Sequence, residues 1–315
     1  MTDFLGIYFP EFFYVLCGLV CFDTAFRARK NTEAKVGTIL FWLLTGIIFM
    51  FGKVLPSVAV GAMLVFMGCL TVTKQVRMGS FKESTPEFRQ AASEKIGTKI
   101  FLPALSVGLI ALILSFVKYD VDGKSTALNG AIMTGVACII ALILAFIICK
   151  PKVSETREDT SRLLMQVGAA CLLPQLLGAL GSVFSEAGVG EVISDMISSV
   201  VPSGNIAIGV TIYVLGMVIF TMIMGNAFAA FTVITAGIGV PFVISQGGDP
   251  AIIGALGMTA GYCGTLMTPM AANFNIVPCA ILETKDEKWT VIKAQLPMAL
   301  VMIVVHIILM LVLGF

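Results

Sequence analysis

Residues 206–244 run for 39 positions without a charged side chain, and residues 251–282 for another 32. A soluble domain holds about 25% charged residues spread along its length, so no water-facing surface accommodates such stretches. A bilayer does, since a helix needs about 17–25 apolar residues to cross a hydrocarbon core of roughly 30 Å. Seven further apolar stretches approach or reach that length, at 4–25, 36–52, 54–72, 100–117, 128–149, 163–184 and 296–315. The whole chain is 58% apolar and 12% charged. The expected fold class is an all-α polytopic membrane protein with about seven full spans, one re-entrant helical hairpin and one broken transmembrane helix.

Twenty basic against nineteen acidic groups give a net charge of +1, so no global field points to nucleic acid. The eight cysteines lie inside apolar stretches with no CxxC or Cys/His ligand spacing, which implies neither a disulfide framework nor a metal site. The first basic cluster follows the first apolar stretch, the reverse of a signal peptide, so the first helix is expected to stay.

Lys and Arg near span ends remain on the cytoplasmic side. Alternating the spans gathers 17 of the 20 basic residues on one side, leaving Lys53, Lys118 and Lys124 on the other. Both termini are then expected outside, with the loop 74–99 in the cytoplasm. This parity requires 206–244 to enter and leave from one side and 251–282 to cross once. The organisation expected is a five-span region, 1–162, followed by a transport region, 163–315. In the latter, an amphipathic helix lies at the outer interface around Glu191, Ile193, Asp195 and Ile197.

A continuous 32-residue helix would measure about 48 Å, too long for the core, so 251–282 is tilted or interrupted. The interruption is readable in Gly261, Gly264, Thr265, Thr268, Pro269, Asn273 and Asn275. In 206–244 a turn falls at Gly225 and Asn226, giving a re-entrant hairpin with its tip near mid-membrane, or else two tilted full spans. Thr268 can cap a second half-helix starting at Pro269, and Asn226 can cap the second hairpin arm. Two half-helix N-termini would then converge on one spot suited to a carboxylate, with unwound carbonyls nearby suited to a small cation. The bland alternative is that Gly225, Gly261 and Gly264 only allow close helix packing and Thr-Pro is a kink. The substrate-binding candidates are Asn226, Thr265, Thr268, Pro269 and Asn273. The ion-binding candidates are Gly225, Asn226, Gly264 and Thr265.

Acid–base chemistry inside the membrane would need charged or titratable groups there, and they are scarce. Glu11 and Asp23 read as interface anchors, with Asp23 placed to meet Arg27. His306, the only histidine, lies mid-span, where it serves either as a neutral packing group or as a proton carrier. No paired Asp, HExxH or Ser/His arrangement is present, so an enzyme is not expected.

A hairpin tip at Gly225, Asn226 and Ala227, followed by a helix broken at Thr268, Pro269, Met270 and Ala271, resembles the ion transporter superfamily. Asn226, Thr268 and Pro269 match its two motifs. The runs GMTAGYCGTLMTPMAANFNIVPCAILE and CLLPQLLGALGSVFSEAGVGEVI look more closely like the larger subunit of a bacterial two-subunit 5-oxoproline permease, a family long catalogued as a domain of unknown function. The resemblance implies a bacterial cytoplasmic membrane, a symport mechanism and 5-oxoproline as substrate.

The function expected is a subunit of a secondary active transporter for a small organic anion; a non-transporting scaffold subunit is the alternative. No cofactor is expected beyond a coupling ion, Na+ or H+, with Na+ favoured at the carbonyls around Gly225 and Gly264. Only one hairpin and broken-helix pair is visible, whereas transporters of this design enclose substrate between two such repeats. A smaller membrane subunit carrying a second hairpin is therefore expected as partner.

Overall fold

The computed structural model describes residues 6, 8–79, 81, 84–121, 124–198, 205–271, 274–286 and 289–315. It divides into two compact units, Met1–Gln166 and Val167–Phe315. Among the described residues, six helical stretches are long and apolar enough to cross a membrane. They are Phe9–Lys30, Pro86–Ser115, Gly130–Cys149, Ile206–Met224, Ala227–Gln246 and Thr290–Leu313, and three shorter apolar helices accompany them. The protein is an all-α polytopic membrane protein.

The first unit contains α1 (Phe9–Arg27), α2 (Lys35–Phe51), α3 (Ser57–Val72), α4 (Pro86–Ile96), α5 (Phe101–Ser115) and α6 (Gly130–Cys149). Helix α7 (Val153–Val167) closes it, and a short antiparallel ribbon, β1 (Lys118–Val121) and β2 (Lys124–Ala127), joins α5 to α6. Helices α1 and α2 pack antiparallel around a glycine contact, where a Cβ on Gly18 would lie 3.0 Å from the Gly46 carbonyl. The two acidic residues of α1 occupy opposite ends of this pair. Glu11 meets Lys53 at 3.2 Å; Asp23 accepts from Arg27 Nε at 3.3 Å and from Arg157 Nε at 2.8 Å. Part of the expected loop 74–99 is helical, because Thr85 caps α4 and Pro86 starts it. Its earlier part is tied down: Thr38 Oγ1 accepts from Arg77 N at 3.1 Å, and Asn31 Nδ2 donates to Arg77 O at 3.3 Å.

The second unit opens with a 3₁₀ segment, Gly168–Leu172, then α8 (Leu173–Glu186), α9 (Val189–Ser198) and α10 (Ile206–Met224). The second hairpin arm is α11 (Ala227–Ile234), a π turn (Thr235–Gly239) and the single turn α12 (Val240–Phe242). Helices α13 (Pro250–Leu266), α14 (Ile276–Ile281) and α15 (Thr290–Leu313) complete it. The expected span 163–184 is not one helix. It is interrupted at Gly168, whose φ of +51° is open to glycine and strained for other residues, and the chain re-enters an α-helix only at Leu173. Helix α9 sets Ile193 and Ile197 against the core and leaves the apolar Val192 and Met196 exposed. It also packs tightly on the π turn, where a Cβ on Gly237 would sit 2.4 Å from the Gly190 carbonyl.

Helices α10 and α13 run parallel: Gly257 faces Tyr213, Gly261 faces Met217, and Gly264 faces Val218, so the partners rise together along both helices. Helix α15 runs antiparallel to α13. His306 meets Thr259, and Gly314 O accepts from Asp249 N at 2.9 Å near the opposite end. Asp249 also caps α13, accepting from Ala251 N and Ile252 N, with Pro250 in the first turn. The core of the unit joins Val210, Tyr213, Val214, Met217 and Val218 to Ala230, Ile234, Ile253, Ala260, Cys263, Ile303 and Met310.

Candidate functional site

The stretch 206–244 folds as a helical hairpin, and its turn lies where the sequence placed it. Gly225 ends α10 in the left-handed region at φ +69°, and Asn226 follows in an extended conformation. Asn226 Oδ1 then accepts from Phe228 N at 2.9 Å and from Ala229 N at 3.4 Å, capping α11. The arms, Ile206–Met224 and Ala227–Gln246, have 19 and 20 residues. At 1.5 Å per residue each measures roughly 28–30 Å, about the thickness of the hydrocarbon core, so the turn stands far from the arms' outer ends.

That turn docks on a break in the next element. Helix α13 continues through Gly261 and Gly264 to Leu266, and both glycines are packing positions. A Cβ on Gly264 would lie 2.4 Å from Val218 O, and one on Gly261 would lie 3.1 Å from Ala227 Cβ. The expected half-helix beginning at Pro269 does not form, and here the structure corrects the sequence reading. Pro269 instead ends α13. It has no N–H for the Thr265 carbonyl four residues earlier, and its ring excludes helical continuation there. A turn follows, with Met270 N donating to Thr268 Oγ1 at 3.2 Å, and the next helix, α14, starts at Ile276.

Asn275 supplies the donor that Pro269 lacks. Fully buried, it donates from Nδ2 to Thr265 O at 2.8 Å and to Thr268 O at 2.6 Å, while Gln295 Nε2 lies 3.5 Å from its Oδ1. Thr268 ties the break to the hairpin by donating from Oγ1 to Met222 O at 2.8 Å, an otherwise orphaned carbonyl in the last turn of α10. Gly225 fits because the backbone of Met270 presses on it: a Cβ there would be 2.4 Å from Met270 O.

Gly225, Asn226, Thr268 and Pro269 therefore come together, while Asn273 lies outside the described residues. The expected ion set is otherwise engaged. Gly264 O accepts from Met267 N at 3.1 Å, Thr265 Oγ1 donates to Tyr262 O at 2.6 Å, and Thr265 O takes the Asn275 amide. One helix N-terminus, that of α11, and two C-termini, those of α10 and α13, meet at this spot, so it combines partial positive charge at Asn226 with partial negative charge beside it. Phe228, Tyr262 and Phe274 form an aromatic row flanking it, with centroids 6.2 and 5.9 Å apart. Thr221 Oγ1 is buried in the adjoining α10–α13 seam with no hydrogen-bond partner.

Sequence reasoning left two of these groups unassigned. Asn275 was one of several polar residues in the interruption, and spacing gave no reason to prefer it over Asn273. Thr221 carries no local signal at all, being one threonine in an apolar run.

A family model described as a protein of unknown function, DUF979, matches residues 11–315, and the chain belongs to that family. No curated protein and no solved structure matches it.

Proposed function

We propose that this member of the family is a subunit of a secondary active transporter for a small organic anion, with 5-oxoproline as the substrate the resemblance suggests. One observation carries the reading: a hairpin turn and a helix break, joined by a hydrogen bond between residues 46 apart in sequence, are locked together inside a bundle of membrane-length helices. Irregular backbone in a membrane protein is tolerated where it is buried in protein or lines a cavity, and substrate sites of transporters are built from such discontinuous helices. The α11 N-terminus at Asn226 suits a carboxylate, and the helix C-termini beside it suit a coupling cation, Na+ or H+. The aromatic row offers an apolar flank for the body of the anion. A smaller membrane subunit with its own hairpin would complete the enclosure.

Uptake of labelled 5-oxoproline by cells expressing this chain with its partner tests the reading. Asn226→Ala removes the cap that positions the α11 N-terminus, and Thr268→Val cuts the tie between the break and the hairpin; each should raise the half-saturating concentration roughly tenfold or more and leave insertion intact. Thr268→Ser keeps the hydroxyl and should transport normally. Wild-type uptake in both disruptive variants would mark the breaks as scaffold features.

A further inference from the structure

We propose that α4 is a membrane-surface helix that lays one face on the anionic headgroups of the bilayer in which the protein sits. Its place in the chain holds it at that level. Residues 100–117 carry no charge, and as helix these 18 residues measure about 27 Å, close to the thickness of the hydrocarbon core. Gly97 and Lys99 therefore stand at the membrane boundary, and α4 ends there. It does not extend the span into hydrocarbon, because Glu87, Arg89, Glu94 and Lys95 fall within its 11 residues. Nor does it prolong the axis of α5 into water. Gly97 follows α4 at φ +53° and ψ −141°, a conformation open to glycine, and the helix axis breaks at that residue.

The faces of α4 are sorted for a negatively charged surface. At about 100° per residue, Phe88, Ala92 and Ile96 form one stripe, with Lys95 beside Phe88 and Arg89 beside Ile96, so a basic residue borders each edge. Arg89 Nε donates to Ser84 Oγ at 2.9 Å. Glu87 and Glu94 lie about 140° and 160° from the centre of the stripe. On that side Gln90 Nε2 donates to Glu94 Oε1 at 3.2 Å.

No residue of α4 is buried, and Phe88 is 64% exposed. The bilayer is the occupant within reach of this stripe, and the charge pattern selects it. With the stripe down, Phe88 and Ile96 enter the boundary between headgroups and acyl chains, Arg89 and Lys95 reach the lipid phosphates, and both glutamates face water. The opposite docking would press Glu87 and Glu94 on like charge and leave Phe88 in water. This inference does not depend on the transporter reading.

Nitroxide labels on single cysteines, one replacing Ala92 in the stripe and one replacing Gln90 opposite it, test the proposal in the otherwise cysteine-free full-length protein. Collisions with oxygen, which concentrates in lipid, and with a water-soluble nickel chelate report their depth. In nanodiscs of equal parts phosphatidylcholine and phosphatidylglycerol, the label at 92 should be shielded from the chelate at a depth of about 5–10 Å, and the label at 90 should be open to it. Phosphatidylcholine alone should lower the ratio of shielded to exposed label at 92 about thirtyfold, at about fivefold for each of Arg89 and Lys95. Arg89→Gln combined with Lys95→Gln should have the same effect in the anionic discs, and both positions are exposed, so the fold stays intact. Equal exposure of the two labels in anionic discs, a depth indifferent to lipid charge, or spin–spin broadening from a second copy seated on the stripe overturns the proposal.

Discussion

Asn275→Leu should destabilise the second unit more than any other single exchange of similar volume at the break. Leucine keeps the branched four-atom skeleton of asparagine, so the change removes two donors without opening a cavity. The Thr265 carbonyl, bonded at 2.8 Å, is then left unpaired in a site with no solvent exposure at Asn275, and the Thr268 carbonyl, bonded at 2.6 Å, keeps only the longer bond from Ala271 N at 3.4 Å. Hydrogen bonds between membrane helices contribute about 0.6 kcal/mol each, which sets a floor near 1 kcal/mol for two. A buried carbonyl left without any partner costs about 1–3 kcal/mol, and Thr265 O cannot recover one locally because residue 269 is proline, so the loss should reach about 1–3 kcal/mol. Gln295→Leu gives an internal comparison: its contact with Asn275, at 3.5 Å, is at the limit of a hydrogen bond, and the change should cost under about 0.5 kcal/mol. Equilibrium unfolding in mixed micelles, followed by helical circular dichroism, measures both. An Asn275→Leu loss below about 0.5 kcal/mol, or one equal to that of Gln295→Leu, would refute the assignment of Asn275 as the group that holds the break.

Gly225→Ala combines a left-handed backbone, costing about 1–2 kcal/mol, with a Cβ driven into Met270 O; Gly247→Ala, also left-handed with nothing within 4 Å of its Cβ, incurs only the first cost, so Gly225→Ala should lower the unfolding midpoint distinctly further. Single cysteines in a cysteine-free background should be labelled by an impermeant reagent only from the cytoplasm at Ser84 and only from outside at Ser125, and labelling of both from one side would reverse the orientation. Liposomes containing this chain alone should take up no 5-oxoproline, with uptake appearing on addition of the smaller subunit; full uptake by the single chain would remove the need for a partner.

How much of the fold was legible depended on whether its breaks left a chemical trace. Residues 206–244 are too long and too apolar for one helix, and Gly225–Asn226 is the one place in them where a left-handed residue precedes a strong capping side chain, so the turn could be located to the residue. The interruption at Gly168 has no such trace. It lies in a run that reads as an ordinary span, and a lone glycine in a membrane helix serves close packing as readily as a change of direction. Asp23 could be matched to Arg27 because helix periodicity places them together, but its bond to Arg157 crosses 134 residues and is invisible to any local rule.

At the site itself, Thr268-Pro269 satisfies two opposite rules equally well. As a cap followed by a first-turn proline it opens a helix; as a proline four residues beyond Thr265 it closes one. Nothing within the dipeptide decides between them. The decision is made by groups that reach in from elsewhere: Asn275 takes up the Thr265 carbonyl, and Met222 O, 46 residues away, engages the Thr268 hydroxyl that would otherwise be free to cap. The consequence is electrostatic. If Pro269 opened a helix, two positive helix ends would face each other, and a cation would have to rely on unwound carbonyls nearby. Because it closes one, a single positive end at Asn226 stands beside the negative ends of α10 and α13, and that pairing suits an anion and a cation bound side by side, the arrangement that ion-coupled transport of an organic acid requires.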